Sequence, residues 1–485
     1  MIVRAALSHG TLLMSEVAKV LVWLPLPPQA KWRGEGIAQT LEQILLNLPL
    51  DIKVCLVVSG HHFYTVRDVF KECPNIVVRT TDILAWILPK RTRKWVTFDE
   101  ISASNFGTSA RGRIMVGPLL EPARRFFNRL SQVFPLYLIF LQRWGMVFRG
   151  YSTLWFPTAT LPFLGLLRGR KIFSFWDPFV FEYNEFDDIQ ARLIKRFLVI
   201  FSSADLVITQ SRVNRTYLTS VFSIPLDRIK VVNNGAPDYS RLWADFQRKL
   251  PAGTNLRERD NMITYWPPFE IVADNPLDAF DQYAAGKINH SKLFRLAFSL
   301  NSKSKIIFVS TQYRPYKGFA TLLQLFDKLI AESPDLDLRF VFTTSIPKLL
   351  INRFSWCTER VYEISRVSDI QHAYLYAISD LVLHPSLVEG GLGTYPQFEA
   401  ASLNVPSLNN FGRHVSELAD STESSLDVTI ADFSAIPETV KKIRGLLLDP
   451  QLVESNVAAT RNARLEWKDA ARRYAEVFRA ASHDQ

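Results

Sequence analysis

The chain is poor in cysteine. Three thiols, Cys55, Cys73 and Cys357, are scattered over 485 residues. They lie too far apart for a disulfide framework and lack a histidine or second cysteine at metal-ligand spacing, which argues against structural zinc and for a reducing compartment. Long apolar runs are missing as well. The uncharged stretch 130–142 contains Pro135, and the longer one at 150–167 is broken by Pro157 and Pro162, so neither offers the ~20 residues that a membrane-crossing helix requires. Residues 1–17 form an N-terminal extension, and MIVRAALSHGTLLMS, with one arginine and short apolar pieces, is a poor signal peptide.

Acidic charge is scarce in one region. Between 90 and 149 eleven lysines and arginines face only Asp99, Glu100 and Glu121, so +8 of the chain's +10 is local. Within it, RRFFNRLSQVFPLYLIFLQRWGMVFR interleaves arginine with large apolar side chains. A helix packed on its own sheet and contact with an anionic membrane surface account for that composition equally well. No nucleic-acid recognition motif accompanies the charge, so nucleic acid is not an expected partner.

What is present is a globular composition, 48% apolar and 21% charged, at a length that calls for two domains. AKVLVWLPLP (18–27) is a continuous apolar run of the kind that forms a strand buried on both faces of a parallel sheet. It is followed by a loop with Gly34 and Gly36 and a helix with Ile37, Leu41, Ile44 and Leu45 on its apolar face. DIKVCLVVSG (51–60), NIVVRT (75–80), YSTLWF (151–156) and a strand ending in Trp176-Asp177-Pro178 continue the alternation. KIIFVSTQ (305–312) opens a second set, followed by YRPYKGFATLLQLFDKLI. This order predicts an α/β protein with an N-terminal Rossmann-like domain over 18–300, a second such domain over 301–463 and a last helix over 464–485. Within the first, 240–300 reads as an irregular insertion because of PAGTN and the pair Pro267-Pro268.

The most informative stretch is LVLHPSLVEGGLGTYPQFEAASLNV (381–405), a strand, a turn with Gly390, Gly391 and Gly393, and a helix carrying Glu399. Glycines let the backbone approach a ligand closely, and the unpaired N–H groups of a helix start attract anions, so this order suits phosphate. Thr394 is placed to cap the helix and Pro396 to sit in its first turn. Glu389 and Glu399 bracket the turn. A carboxylate accepts two hydrogen bonds from a vicinal diol, so a diphosphate with sugars at both ends would satisfy all the parts. The blander account is a solvated glutamate at a strand end and another favoured by the helix dipole. Asp335-Leu336-Asp337, between Pro334 and a strand, reads as turn punctuation rather than a metal pair.

The 381–405 stretch resembles the donor-sugar motif of the family-4 retaining glycosyltransferases, which have the GT-B fold. Their pattern is Glu-Gly-Phe-Gly, a second Glu eight residues after the first, and Gly-x-Pro-Val. This chain has Glu389-Gly390-Gly391-Leu392-Gly393, its second Glu ten residues on, and Asn404-Val405-Pro406-Ser407. Gly34 and Gly36 match the family's N-terminal glycine loop in position, Ser211, Asn234 and Gly235 its polar strand ends, and Lys317 its phosphate-binding lysine. Trp176 stands where the family has histidine beside Asp177, and Gln312 where it has arginine, with Arg314 two residues later. Either Arg314 swings in to share the charge or the site makes do with one cation.

The resemblance implies two facing Rossmann-like domains with a C-terminal helix crossing back to the first. It further implies metal-independent transfer, with retention, from a GDP- or UDP-sugar to a glycan or lipid-linked saccharide. No cofactor is expected, and the location is cytoplasmic, at the inner membrane face if the basic region binds lipid. Glu389, Lys317 and Asp177 are the implied catalytic residues. Arg314, Gln312, Gly390, Gly391, Leu392, Gly393, Thr394, Glu399, Gly34, Gly36 and Asn234 are the implied donor contacts. Because Trp176 and Gln312 replace expected residues, a catalytically inactive scaffold of the same fold is the first alternative; a membrane- or polyanion-binding module using the 90–149 face is the second.

Overall fold

The computed structural model describes residues 17–24, 26, 32, 36–59, 62–80, 150–158, 166–176, 195, 197–268, 276–421 and 427–483. Gly34, Asp177 and the whole basic segment 90–149 lie outside the described residues, as do residues 1–16.

Seven strands build the first sheet: β1 (Ala18–Leu24), β2 (Ile52–Val58), β3 (Ile76–Thr80), β4 (Thr153–Phe156), β5 (Arg170–Phe175), β6 (Leu206–Thr209) and β7 (Ile229–Val231). Their order is β3-β2-β1-β4-β5-β6-β7, and every paired neighbour is parallel. β1 shows why its sequence is uniformly apolar. Val20, Val22 and Leu24 point to one core and Leu21 and Trp23 to the other, because successive side chains of a strand face opposite sides of the sheet.

The second sheet holds β8 (Ser304–Val309), β9 (Asp337–Phe342), β10 (Val361–Glu363), β11 (Leu381–His384), β12 (Ser407–Asn410) and β13 (Ile430–Ala431), again all parallel, in the order β10-β9-β8-β11-β12-β13. In each sheet the strand order reverses beside the first strand, at β1/β4 and at β8/β11. Such a reversal leaves a crevice at the carboxyl ends of the strands. The segments after β8 and β11 are the two that carry Lys317 and Glu389, so topology alone brings them together.

The helices that matter here are α1 (Gly36–Leu46), α2 (Arg212–Phe222), α3 (Pro276–Ser299), α4 (Phe319–Glu332), α5 (Asp369–Ala377), α6 (Tyr395–Ser402), α7 (Arg413–Ser421) and α8 (Trp467–His483). α8 closes the chain on the first domain. Its Ala471, Tyr474, Ala475, Phe478 and Ala481 enter the core of the first sheet, with Tyr474 and Phe478 5.3 and 5.2 Å from the Trp155 ring. Arg479 pairs with Asp51 at 2.8 Å.

The irregular reading of 240–300 is corrected. The segment forms Ser240–Gln247, Arg259–Thr264 and the 24-residue α3, and its Met262, Trp266, Leu293, Leu296 and Ala297 share a core with Ile306 and Phe308 of β8. Arg257 binds Asp380 with two 2.9 Å hydrogen bonds, tying the same segment to the entrance of β11. Prolines between the helices masked them locally, while the apolar surface that stabilises them comes from strands that follow in the chain. Asn404 stands where the resembled pattern has glycine and adopts φ 63°, a left-handed conformation that asparagine tolerates better than most residues.

Candidate functional site

Two loops meet over the β8/β11 crevice. After β8 the chain makes a short 3-10 turn, Pro315–Lys317, and Gly318 starts α4 at φ 64°. A Cβ on Gly318 would lie 2.5 Å from the Pro385 carbonyl oxygen. Glycine is required there both for the left-handed backbone and for the close approach. The contact lays the Lys317 turn on the exit of β11, where the Leu387 amide also donates to the Tyr316 carbonyl at 3.1 Å.

Lys317, only 9% exposed, forms an ion pair with Glu389 Oε1. The same oxygen lies 2.8 Å from His384 Nε2, and His384 is itself buried at 3% exposure. Burial alone raises the Glu389 carboxyl, but the charge of Lys317, with the hydrogen bond to His384, overrides it and holds the group well below the usual carboxylate range. The imidazoles of His384 and His414 are pushed down by burial, His414 to about 4. At neutral pH both imidazoles are therefore uncharged beside an ionised Glu389.

The glycine turn touches the first domain. Asn214 of α2 donates through Nδ2 to the Gly390 carbonyl at 2.9 Å and to the Trp176 carbonyl at 3.0 Å. Gly391 packs beside Gln210, whose Oε1 would be 3.3 Å from an added Cβ. Gly393 adopts φ 76°, and its amide donates to the His414 carbonyl at 3.1 Å, so that N–H is engaged within the protein. Thr394 caps α6, accepting from the Gln397 amide at 3.4 Å, and Pro396 occupies its first turn, as the sequence predicts. Leu392 and Asn234 line a small cavity between the domains with Gly391, Gly393 and Tyr395. Gly36 opens α1, and Thr40 one turn later meets the Tyr395 hydroxyl at 2.8 Å.

Glu399 sits deeper than a purely ligand-facing residue. It is 8% exposed, and its Oε2 accepts a hydrogen bond from the Tyr376 hydroxyl. Behind it, Tyr239 Oη lies 3.0 Å from His372 Nδ1, and His372 Nε2 lies 2.6 Å from Ser310 Oγ. Burial pushes the Glu399 carboxyl up to about 7, against the hydrogen bond from Tyr376. The native protein thus holds a proton that the unfolded chain releases near 4.5, and stability should fall as pH rises from about 4.5 to about 7, then level off. Denaturant titrations at several pH values should show this slope in the wild type and lose it in Glu399→Gln; identical slopes in the two proteins would refute the assignment.

Gln312 and Arg314 are both exposed, and Arg314 Nη2 lies 3.4 Å from Gln312 Oε1. The structure brings Lys317, not Arg314, to Glu389. The Asp335 and Asp337 carboxylates are held separately, Asp335 by Arg444 at 3.1 Å and Asp337 by Arg339 at 2.8 Å. Among the described residues no cluster of three or more histidine, cysteine or acidic side chains is arranged to hold a metal ion, and no helix is long and apolar enough to cross a membrane.

Several participants escape sequence reasoning. His384 lies inside the motif stretch yet reads as an ordinary strand residue. Glu417 of α7 accepts from the Arg212 and Val213 amides at 2.6 and 3.0 Å, capping α2 from the opposite domain, where a carboxylate is favoured by the helix dipole. Ser211, singled out in the sequence as a polar strand end, is the N-cap of the same helix and accepts from the Asn214 amide at 3.1 Å. Asn214, Tyr376 and Tyr239 carry no local signal, because each acts on a residue more than twenty positions away.

Two parallel sheets carrying a glycine turn at the second switch point, with the final helix packed back on the first domain, define the GT-B class of fold. Solved structures agree over nearly the full chain. HepE from Anabaena, solved with UDP and glucose, matches with a TM-score of 0.55 and 15% identity over 95% of this chain and 99% of its own. A glycosyltransferase from Rickettsia africae matches at 0.54 and 12% over 96% and 99%. The N-terminal domain of a trehalose-6-phosphate phosphatase from Candida albicans matches at 0.56 and 13% over 97% and 98%. No protein-family model and no curated protein matches the sequence.

Proposed function

We propose that this protein is a glycosyltransferase that moves a sugar from a nucleoside-diphosphate sugar to a glycan or lipid-linked saccharide, with retention of configuration. The observation that carries the reading is the cluster of Lys317, Glu389 and His384 beside a glycine turn at the second switch point. A fixed cation and a carboxylate at that place suit a diphosphate leaving group joined to a hydroxyl-rich one. UDP is the favoured nucleotide, since HepE is solved with UDP and with UDP-glucose, and GDP is the second choice.

In the proposed step the bond between the anomeric carbon and the β-phosphate oxygen breaks, and the nucleoside diphosphate leaves with the electron pair. The acceptor hydroxyl oxygen bonds the same face of that carbon and passes its proton to the departing phosphate oxygen. Lys317 stabilises the phosphate charge as it develops. Glu389 holds a sugar hydroxyl, and Glu399, once Tyr376 is displaced from it, the ribose hydroxyls. Since Lys317 supplies the positive charge, the reading asks for no metal.

Thermal or denaturant stability measured with a panel of nucleoside diphosphates and their sugars tests this. A ligand present at a hundredfold its Kd should add about 2.7 kcal/mol, and the stabilising pair is then used in a transfer assay. No stabilisation by any member would refute the reading. Stabilisation without transfer to any saccharide acceptor would support the inactive scaffold.

A further inference from the structure

His414 is 3% exposed, yet neither of its ring nitrogens has a hydrogen-bond partner among the described residues; the Nδ1 of His384 is in the same condition. Such groups are costly to leave unpaired, because burial removes their water without replacing it. The position of His414 is well defined. Its carbonyl accepts from the Gly393 amide at 3.1 Å. A Cβ on Gly412 would lie 2.7 Å from His414 Cε1 and 3.0 Å from the Leu387 carbonyl oxygen, so Gly412 leaves room for the ring beside the exit of β11. The charges of Glu389 and Lys317 both act on the ring.

The chemistry of the ring selects its partner. A neutral imidazole offers one N–H donor and one bare nitrogen acceptor, and burial keeps this one neutral. An ionised diphosphate only accepts hydrogen bonds, so it would leave the bare nitrogen unpaired. Sugar hydroxyls both donate and accept, so they satisfy both sides of the ring.

Resting on the reading of the site as a nucleotide-sugar site, we infer that His414 is a specificity-determining residue that reads a hydroxyl of the transferred sugar, with His384 as the positioning residue that aims Glu389 at a neighbouring one. The diphosphate is left to Lys317. His414 therefore contributes to the affinity of the nucleotide-sugar and little to that of the bare nucleotide.

Calorimetric titration of the full chain with UDP and UDP-glucose, and with GDP and GDP-mannose, tests this through a ratio. For the pair that binds, His414→Phe should raise Kd for the nucleotide-sugar roughly tenfold relative to Kd for the nucleotide, which should move less than about twofold. If His414→Phe does not fold, His414→Asn, which keeps a polar group but loses the reach of Nε2, should shift the ratio in the same direction. His384→Ala should also shift it, and His384→Gln, which keeps an N–H for Glu389, should restore it. An unchanged ratio in a folded His414 variant that still binds nucleotide overturns the inference alone. Absence of nucleotide binding by the wild type overturns the functional reading and this inference with it.

Discussion

If the chain carries out the proposed transfer, replacing Lys317 with alanine is expected to lower its rate by roughly 10²–10³-fold, the usual cost of removing one preorganised donor aimed at developing charge. Two losses combine. The leaving phosphate loses its cation, and Glu389 loses the ammonium that overrides the effect of burial on its carboxyl. The second has a pH signature. A carboxyl held below its ordinary value contributes stability at higher pH that is lost only as pH falls through the depressed value. Without Lys317 the folded-state value rises toward the ordinary one, so the stability lost as pH falls below about 4.5 should be smaller. Lys317→Arg should not recover the rate, because a planar guanidinium does not replace a compact ammonium in a position only 9% exposed. Initial rates of nucleoside diphosphate release for the three proteins check this, and a Lys317→Ala rate within about threefold of wild type would refute the assigned role.

Gly318→Ala should destabilise the second domain by about 3 kcal/mol, combining the cost of a left-handed alanine with steric overlap. The added Cβ would lie 2.5 Å from the Pro385 oxygen, and φ is 64°. Neither strain is relieved without lifting the Lys317 turn off the exit of β11, so nucleotide affinity should fall together with stability. Gly36→Ala is the control. It begins α1, and its Cβ would meet nothing within 4 Å, so its stability should stay within about 0.5 kcal/mol of wild type. Urea midpoints of the two variants decide the matter; equal midpoints would show that the Gly318 contact is not a constraint.

The strand 381–384, the glycine turn, the Thr394 cap and Pro396 in the first turn of α6 were all legible in the chain, and they take the expected places. So was β1, whose unbroken apolar run follows from burial on both faces. Each depends on residues within a few positions of one another. The helices of 240–300 were not legible, because their apolar partners belong to the second sheet. Nor was the condition of Glu399. Its position marked it as a ligand group, but its Tyr376 partner and raised pKa come from packing against α5.

By itself the sequence determined the alternation of strands and helices, the glycine-bearing turn after β11 and the residue types available for chemistry, since these are set by local backbone preference and by periodicity. Only the tertiary structure decided which of those residues meet. It joined Lys317 to Glu389 through the reversal of strand order at β8/β11, left Arg314 at the surface beside Gln312, and buried His384 and His414 around the carboxylate. It also set Asn214 and Glu417 across the domain interface. Those contacts link positions tens to hundreds of residues apart, and their energies depend on burial and charge that exist only once both sheets are assembled.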